Sequence, residues 1–243
     1  MTVTLTIIRY RKRYIFFALL AMALFRIPLW LNKRCGFWKL MGSGKNGSFS
    51  KKPDWQQWAI LSASNLHFKH VQLKHFAPEI IMYKLYGRFI GWWVRIFNCE
   101  TITYVLDPVE GHGLWDGKKA FGDLPQKSDY DGSIAVLTRA TIRLSGLKQF
   151  WQNTESVSAK MNSSNGLITS YGIGEIPLIK QATFSVWENK TALKSFAYET
   201  TEHIDVIQKT RQKKWYSEDM FVRFKIDGCV GSIKGLNPLK GKL

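Results

Sequence analysis

Three glycines of the stretch Gly166–Gly174, at positions 166, 172 and 174, stand 130 residues after Gly36, Gly42 and Gly44 of an earlier stretch. The same offset carries Arg9 onto Arg139, and with it the apolar run Val3–Arg9 onto Ile134–Arg139. A unit written twice in one chain usually cannot bury its apolar face without its partner, so this spacing predicts two related halves sharing a core.

The halves are expected at 1–106 and 133–227, joined by a Gly-, Asp- and Pro-rich connector at 107–132 and followed by a mobile basic tail at 228–243. After the first strand of each half comes a helix, residues 14–31 in one and Leu147 onward in the other. Gly36–Ser50 reads as a loop, because glycine and serine dominate it. Trp58–Ser64 and Gln181–Trp187 read as equivalent strands, each followed by a helix, Leu66–Tyr86 and Lys190–Trp215. Arg95–Tyr104 and Met220–Ile226 close the halves as strands. With one further edge strand near each glycine stretch, the order is that of an α+β chain built from two ferredoxin-like repeats.

The chain has 243 residues with ten Trp, fifteen Phe and nine Tyr, more aromatic surface than packing alone needs, which points to a cavity for something flat and apolar. Its formal charge of +17 calls for an anionic partner. Basic clusters at Arg9–Arg13 and Lys209–Lys214 flank apolar helices, and no nucleic-acid motif accompanies them, so an anionic membrane surface is expected and nucleic acid is not. The apolar run Tyr14–Phe25 continues past Arg26 into Trp30 and reads as the first helix of repeat one, with an exposed side that touches lipid. Cys35, Cys99 and Cys229 lie too far apart for a disulfide framework or a thiolate metal site. Together these features predict a cytoplasmic protein peripheral to the inner face of the membrane.

Among five histidines, His67, His70 and His75 spread around one helix and His112 sits in a turn. His203 differs, because it follows the apolar stripe Leu193, Phe196, Ala197, Thr200, Ile204 and Ile207 and so points inward. It is either a core histidine held by a hydrogen bond or a ligand to porphyrin iron, with Glu199 one turn back to accept the other ring N–H. Alternation along Ser133–Arg143 places Arg139 and Arg143 on one face and Ile134, Val136 and Ile142 on the face under the helices. An enclosed Arg139 or Arg9 needs an anion: a haem propionate, negative charge on bound oxygen, or a structural carboxylate such as Glu175.

The segments Gly36–Gly44, Leu137–Arg143, Gly172–Pro177 with Gln181–Trp187, and Phe196–Tyr198 followed by His203 and Trp215 resemble the spheroidene monooxygenase family of carotenoid ketolases. That resemblance implies a dimeric α/β-barrel type fold with both halves in one chain. It further implies a haem cofactor and dioxygen-dependent conversion of an acyclic carotenoid to a ketone, with electrons from a donor such as a ferredoxin. His203 would hold the iron, with Glu199, Phe196, Ile207 and Arg143 around the cofactor and Arg139 or Arg9 at the reacting oxygen. Trp30, Trp38, Trp92 and Trp93 are candidates for an aromatic rim where the polyene leaves the bilayer. Other classes remain: a cofactor-free monooxygenase acting on a quinol-like substrate, and a haem or lipid carrier without turnover. The basic first helix, the histidine-rich helix and the Lys-rich tail depart from the family pattern and bear on substrate identity.

Overall fold

A computed structural model describes residues 1–64, 76–199 and 214–242, with only the backbone of Glu155, Ser156, Tyr198 and Glu199. The elements are β1 (Thr2–Arg9), α1 (Ile15–Leu24), α2 (Arg26–Leu31), β2 (Cys35–Gly44), β3 (Pro53–Ser64), α3 (Pro78–Tyr86), α4 (Arg88–Ile96) and β4 (Glu100–Gly113). They continue as β5 (Ile134–Ile142), α5 (Leu147–Asn162), β6 (Leu167–Ile176), β7 (Lys180–Trp187), α6 (Lys190–Glu199) and β8 (Tyr216–Gly231). These eight strands form a closed barrel in the order β1-β3-β2-β6-β7-β5-β8-β4. The chain is therefore a mixed α+β protein.

Two compact units divide the chain. The first comprises Met1–Gly42, Asp54–Asp107 and Ile226–Leu243. Its central strand β1 pairs antiparallel with β3 and β4, Leu5 lying opposite Leu61 and Tyr104. Alternating Thr and β-branched residues suit a strand covered on both faces. Val3, Leu5 and Ile7 are fully buried on one face. On the other, Ile8 and Tyr10 pack with Ala18, Ala21, Phe25 and Leu29 of the first two helices and with Met82, Ile90 and Trp93 of the next two. The threonines there are satisfied: the Tyr86 hydroxyl lies 3.1 Å from Thr4 Oγ1 and 2.8 Å from Thr6 Oγ1, and Thr4 meets Ser62 Oγ at 2.8 Å. Burial pushes the Tyr86 hydroxyl up to about 12, so it stays protonated.

The second unit comprises Ser43–Pro53 and Pro108–Lys225. Strand β5 pairs antiparallel with β7 and β8. As the alternation predicts, Ile134 and Val136 pack with Trp187, Leu193 and Phe196, and Ile142 packs with Phe150, Trp151 and Trp215.

The glycine stretches are strands, not loops, which corrects the reading of Gly36–Ser50. Gly44 and Gly172 serve close approach. A Cβ on Gly44 would lie 2.1 Å from Ser48 O, and one on Gly172 would lie 2.5 Å from Phe49 Cα. The segment 45–50 therefore folds onto both glycines and places Phe49 against Trp151, stacked at 5.4 Å.

The helix expected over Leu66–Tyr86 is described only from Pro78, a residue suited to a helix start, and it ends at Gly87, whose φ of +102° separates α3 from α4. Arg95, expected in a strand, lies in α4, and the strand begins at Glu100.

The connector and the tail are ordered in part, and they match each other at a second offset of 118. Strand β4 runs on to Gly113 and β8 to Gly231, with φ of +90° and +87° at these ends. Each is followed by a two-residue turn, Asp116-Gly117 in Trp115–Lys118 and Lys234-Gly235 in Ile233–Leu236, all four with positive φ as a type I′ hairpin turn requires. Glu218 of β8 accepts the N–H groups of Asp116 and Gly117, while Glu100 of β4 accepts that of Lys234. Beyond the turns, Phe121 and Leu239 are both buried.

A Cβ at Gly113 would lie 2.2 Å from Asp219 O, and one at Gly231 would lie 2.1 Å from Thr101 O. Gly113→Ala and Gly231→Ala should each destabilise by about 3 kcal/mol in urea unfolding, combining left-handed strain with a backbone clash. Losses under about 1 kcal/mol would show that the facing carbonyls move aside.

Candidate functional site

Arg139 is 1% exposed at the middle of β5. Its Nη1 donates to Glu218, and its Nη2 donates to Asp116 Oδ1 at 3.1 Å. Glu175 Oε1 lies 3.9 Å from Nη2 and accepts the Trp115 indole N–H at 2.7 Å. Lys180 Nζ also reaches Asp116 Oδ1, at 2.6 Å, and the guanidinium carbon sits 5.3 Å from the centre of the Trp115 ring. Burial opposes ionisation of Glu218, but hydrogen bonds from the N–H groups of Gly117 and Asp116 and from Arg139 outweigh it and hold the carboxyl below the usual range. The cation is thus neutralised within its unit, and its Nε–H is buried without an acceptor among the described residues.

Of the three anions open to Arg139 from sequence, the structural carboxylate is the one in place. Glu175 is present as expected, but at longer range than Glu218 and Asp116, neither of which sequence reasoning singled out. Arg9 lies in the first unit and pairs with Asp54 Oδ2 at 3.0 Å. Arg143 is exposed at the end of β5, where Nε donates to the Tyr216 carbonyl at 3.1 Å.

A second buried carboxylate anchors α6. Glu110 is 2% exposed and accepts from Lys190 Nζ at 2.7 Å, from the Ser128 N–H at 2.7 Å and from Arg223. Burial alone would raise its pKa, yet these donors carry it below the ordinary carboxylate range. Lys190 is the first residue of α6, and the Asn189 side chain accepts the Ala192 N–H at 2.8 Å, the usual helix N-cap. The helix therefore starts at a fixed point. Its inward stripe is formed as far as it is described: Leu193 and Phe196 are buried, and Phe196 stacks on Trp187 at 5.4 Å. Glu199 ends the described helix, and His203 and Ile207 lie outside the described residues.

Porphyrin iron needs an inward imidazole or thiolate. Among the described residues the single histidine is His112, exposed and stacked on Phe221, and no group of three His, Cys, Asp or Glu could hold a metal ion. Burial raises all three cysteine thiols, Cys99 and Cys229 to about 12, which keeps them protonated and poor ligands. The described side chains alone do not make a haem site. His67, His70 and His75 also fall outside the described residues.

The expected aromatic rim divides. Trp30 and Trp92 are exposed, whereas Trp93 is buried with its indole N–H on the Tyr10 hydroxyl at 3.0 Å, and Trp38 packs partly buried against the same core.

The barrel places the chain in a known class of α+β folds. Its structure is similar to the crystal structure of aldoxime dehydratase, with a TM-score of 0.58 over 93% of this chain and 80% of that one at 9% identity, a likeness of fold alone. A second aldoxime dehydratase, crystallised with butyraldoxime, gives the same TM-score over 93% and 79% at 8% identity. No protein-family model matches the chain. In sequence it is 33% identical over 227 residues to spheroidene monooxygenase of Rhodobacter capsulatus, covering 91% of this chain and 88% of that protein. It is 30% identical over 242 residues to spheroidene monooxygenase of Cereibacter sphaeroides, covering 98% and 70%. The chain belongs to the spheroidene monooxygenase family. It is an oxidoreductase of the monooxygenase type.

Proposed function

We propose that this monooxygenase is haem-dependent and introduces a keto group into an acyclic carotenoid, with dioxygen as oxidant and an external electron donor such as a ferredoxin. The observation that carries the reading is the buried stripe of α6. Leu193 and Phe196 face the core on Trp187, and the sequence continues the same spacing through Thr200, His203 and Ile207. His203 is the proposed iron ligand, with Glu199 one turn earlier to fix its tautomer. Bound haem would supply the oxidising chemistry that side chains lack.

The chain's own part is positional. Glu110 and Asn189 set the start of α6, and Phe196 and Trp187 keep water from its inner face. Their orientation is fixed before substrate arrives. The pairing orders β4-β1-β3-β2 and β8-β5-β7-β6 support reading the halves as ferredoxin-like repeats of a dimeric α/β-barrel. Carotenoid as the substrate class rests on the names of the relatives and on the apolar lining of the fold.

Conversion of a methylene to a ketone takes two dioxygen molecules, four electrons and four protons. Each round inserts one oxygen and releases one water, and the geminal diol then loses a further water. Full-length protein supplied with haem, a ferredoxin and its reductase, and labelled dioxygen should convert an acyclic carotenoid to a product that has gained one labelled oxygen and lost two hydrogens. Haem-loaded, reduced protein that binds the carotenoid and leaves it unchanged would refute the reading.

A further inference from the structure

Helix α1 contains no charged residue and is apolar on every side. One side is used by the protein. Ala18, Ala21, Phe25 and Leu29 are buried in the core of the first unit. The opposite side is as apolar and is exposed, from 42% at Leu19 through 61% at Ile27 and 69% at Phe16 to 76% at Trp30. A helix apolar all round is normally enclosed by protein or lipid.

Helix α4 extends this face. Phe17 stacks on Phe97 at 4.5 Å and Phe25 meets Phe89 at 6.3 Å, so α1 and α4 run side by side in opposite directions. Their outer surfaces are continuous, and α4 adds Trp92 at 53% and Ile96 at 50% exposure. Scattered exposed apolar residues need no explanation, whereas a contiguous patch of this kind marks an interaction surface.

The charge identifies what covers it. Residues 1–99 carry sixteen Lys and Arg against Asp54 and Glu79 alone, +14 of the total +17. Arg13, Arg26, Arg34, Arg88 and Arg95 are exposed on or beside these helices. A cleft of about 630 Å³ shares Leu31 and Arg88 with the patch and carries Arg34 and Lys84 on its walls. Apolar side chains ringed by arginine match the boundary between acyl chains and anionic headgroups.

We infer that the α1–α2 and α4 face docks into the surface of an anionic lipid bilayer, lying in the interface without crossing it. The segment Lys12–Leu31 is long and apolar enough to cross, at 20 residues. Crossing would strip Ala18, Ala21, Phe25 and Leu29 from the core they share with Ile8, Ile60 and Met82. The docked helix instead keeps that side on the protein and gives the other to lipid.

The test is co-sedimentation of the full-length protein with phosphatidylcholine vesicles, with and without phosphatidylglycerol. Binding to the anionic vesicles is expected, weakened by high salt, and far weaker to phosphatidylcholine alone. Ile27→Ser/Trp30→Ser removes two exposed side chains and should weaken binding about tenfold or more while the unfolding midpoint stays unchanged. Three results would overturn the inference: no binding to either vesicle, undiminished binding by the double variant, or loss of the patch in a concentration-dependent dimer that ignores lipid. None of them bears on haem or turnover, so the failure of this inference is distinct from failure of the proposed function.

Discussion

Arg139→Met should cost about 3 kcal/mol of unfolding free energy, the lower part of the range for removing one partner of a buried ion pair. The loss comes from what is left behind. Glu218 would keep the N–H groups of Asp116 and Gly117 but lose its cation, and Asp116 would keep Lys180. Glu218 and Asp116 side chains are 22% and 36% exposed, so water relieves part of the stranded charge, which places the value at the low end. Urea unfolding at fixed pH and salt measures it. Adding Glu218→Gln to Arg139→Met should cost less than the two single changes summed, because both act on one interaction.

This result also separates the two roles that sequence left open for Arg139. A guanidinium kept for a reacting oxygen would, when replaced, lower turnover and leave stability nearly unchanged. The observed partners predict the reverse order of effects: folding suffers first, and protein that remains folded keeps its capacity for haem. A stability change under about 1 kcal/mol would mean that the network is solvated in solution.

The elements with strong local patterns were legible in the chain. Alternation assigned both faces of β5 correctly, because a strand buried under helices cannot change which residues face them without exposing its core. The Leu193–Phe196 stripe was legible for the same kind of reason at helical period. The glycines at 36, 42 and 44 were visible as a repeat but misread as turns. Their purpose is the approach of the segment 45–50 to Gly44 and Gly172, a tertiary contact that no local composition records.

The carboxylates of Arg139 were missed because they come from 79 and 23 residues away. One signal was available. Glu100 and Glu218 share the offset of 118 with Gly113 and Gly231 and with the turn glycines 117 and 235. Reading that second offset would have identified the connector and the tail as equivalent hairpins. Charge reasoning fared unevenly for the tryptophans: exposure separates Trp30 and Trp92 from Trp93, and side-by-side residues on one helix differ by which way the helix turns them.

His203→Ala is expected to have the largest effect on function, because one side chain is asked to hold the cofactor. Removing it should abolish specific haem retention and lower carotenoid conversion by about a hundredfold or more, beyond the tenfold to hundredfold cost of losing an outer-shell partner. Glu199→Gln, which perturbs only the proposed tautomer, should keep the haem and shift its spectrum. The absorption spectrum of the purified full-length protein after haem supply, set beside that of His203→Ala at equal folded concentration, decides the matter: a Soret band in the parent that is absent from the variant is the predicted result, and the same Soret band in both would contradict it.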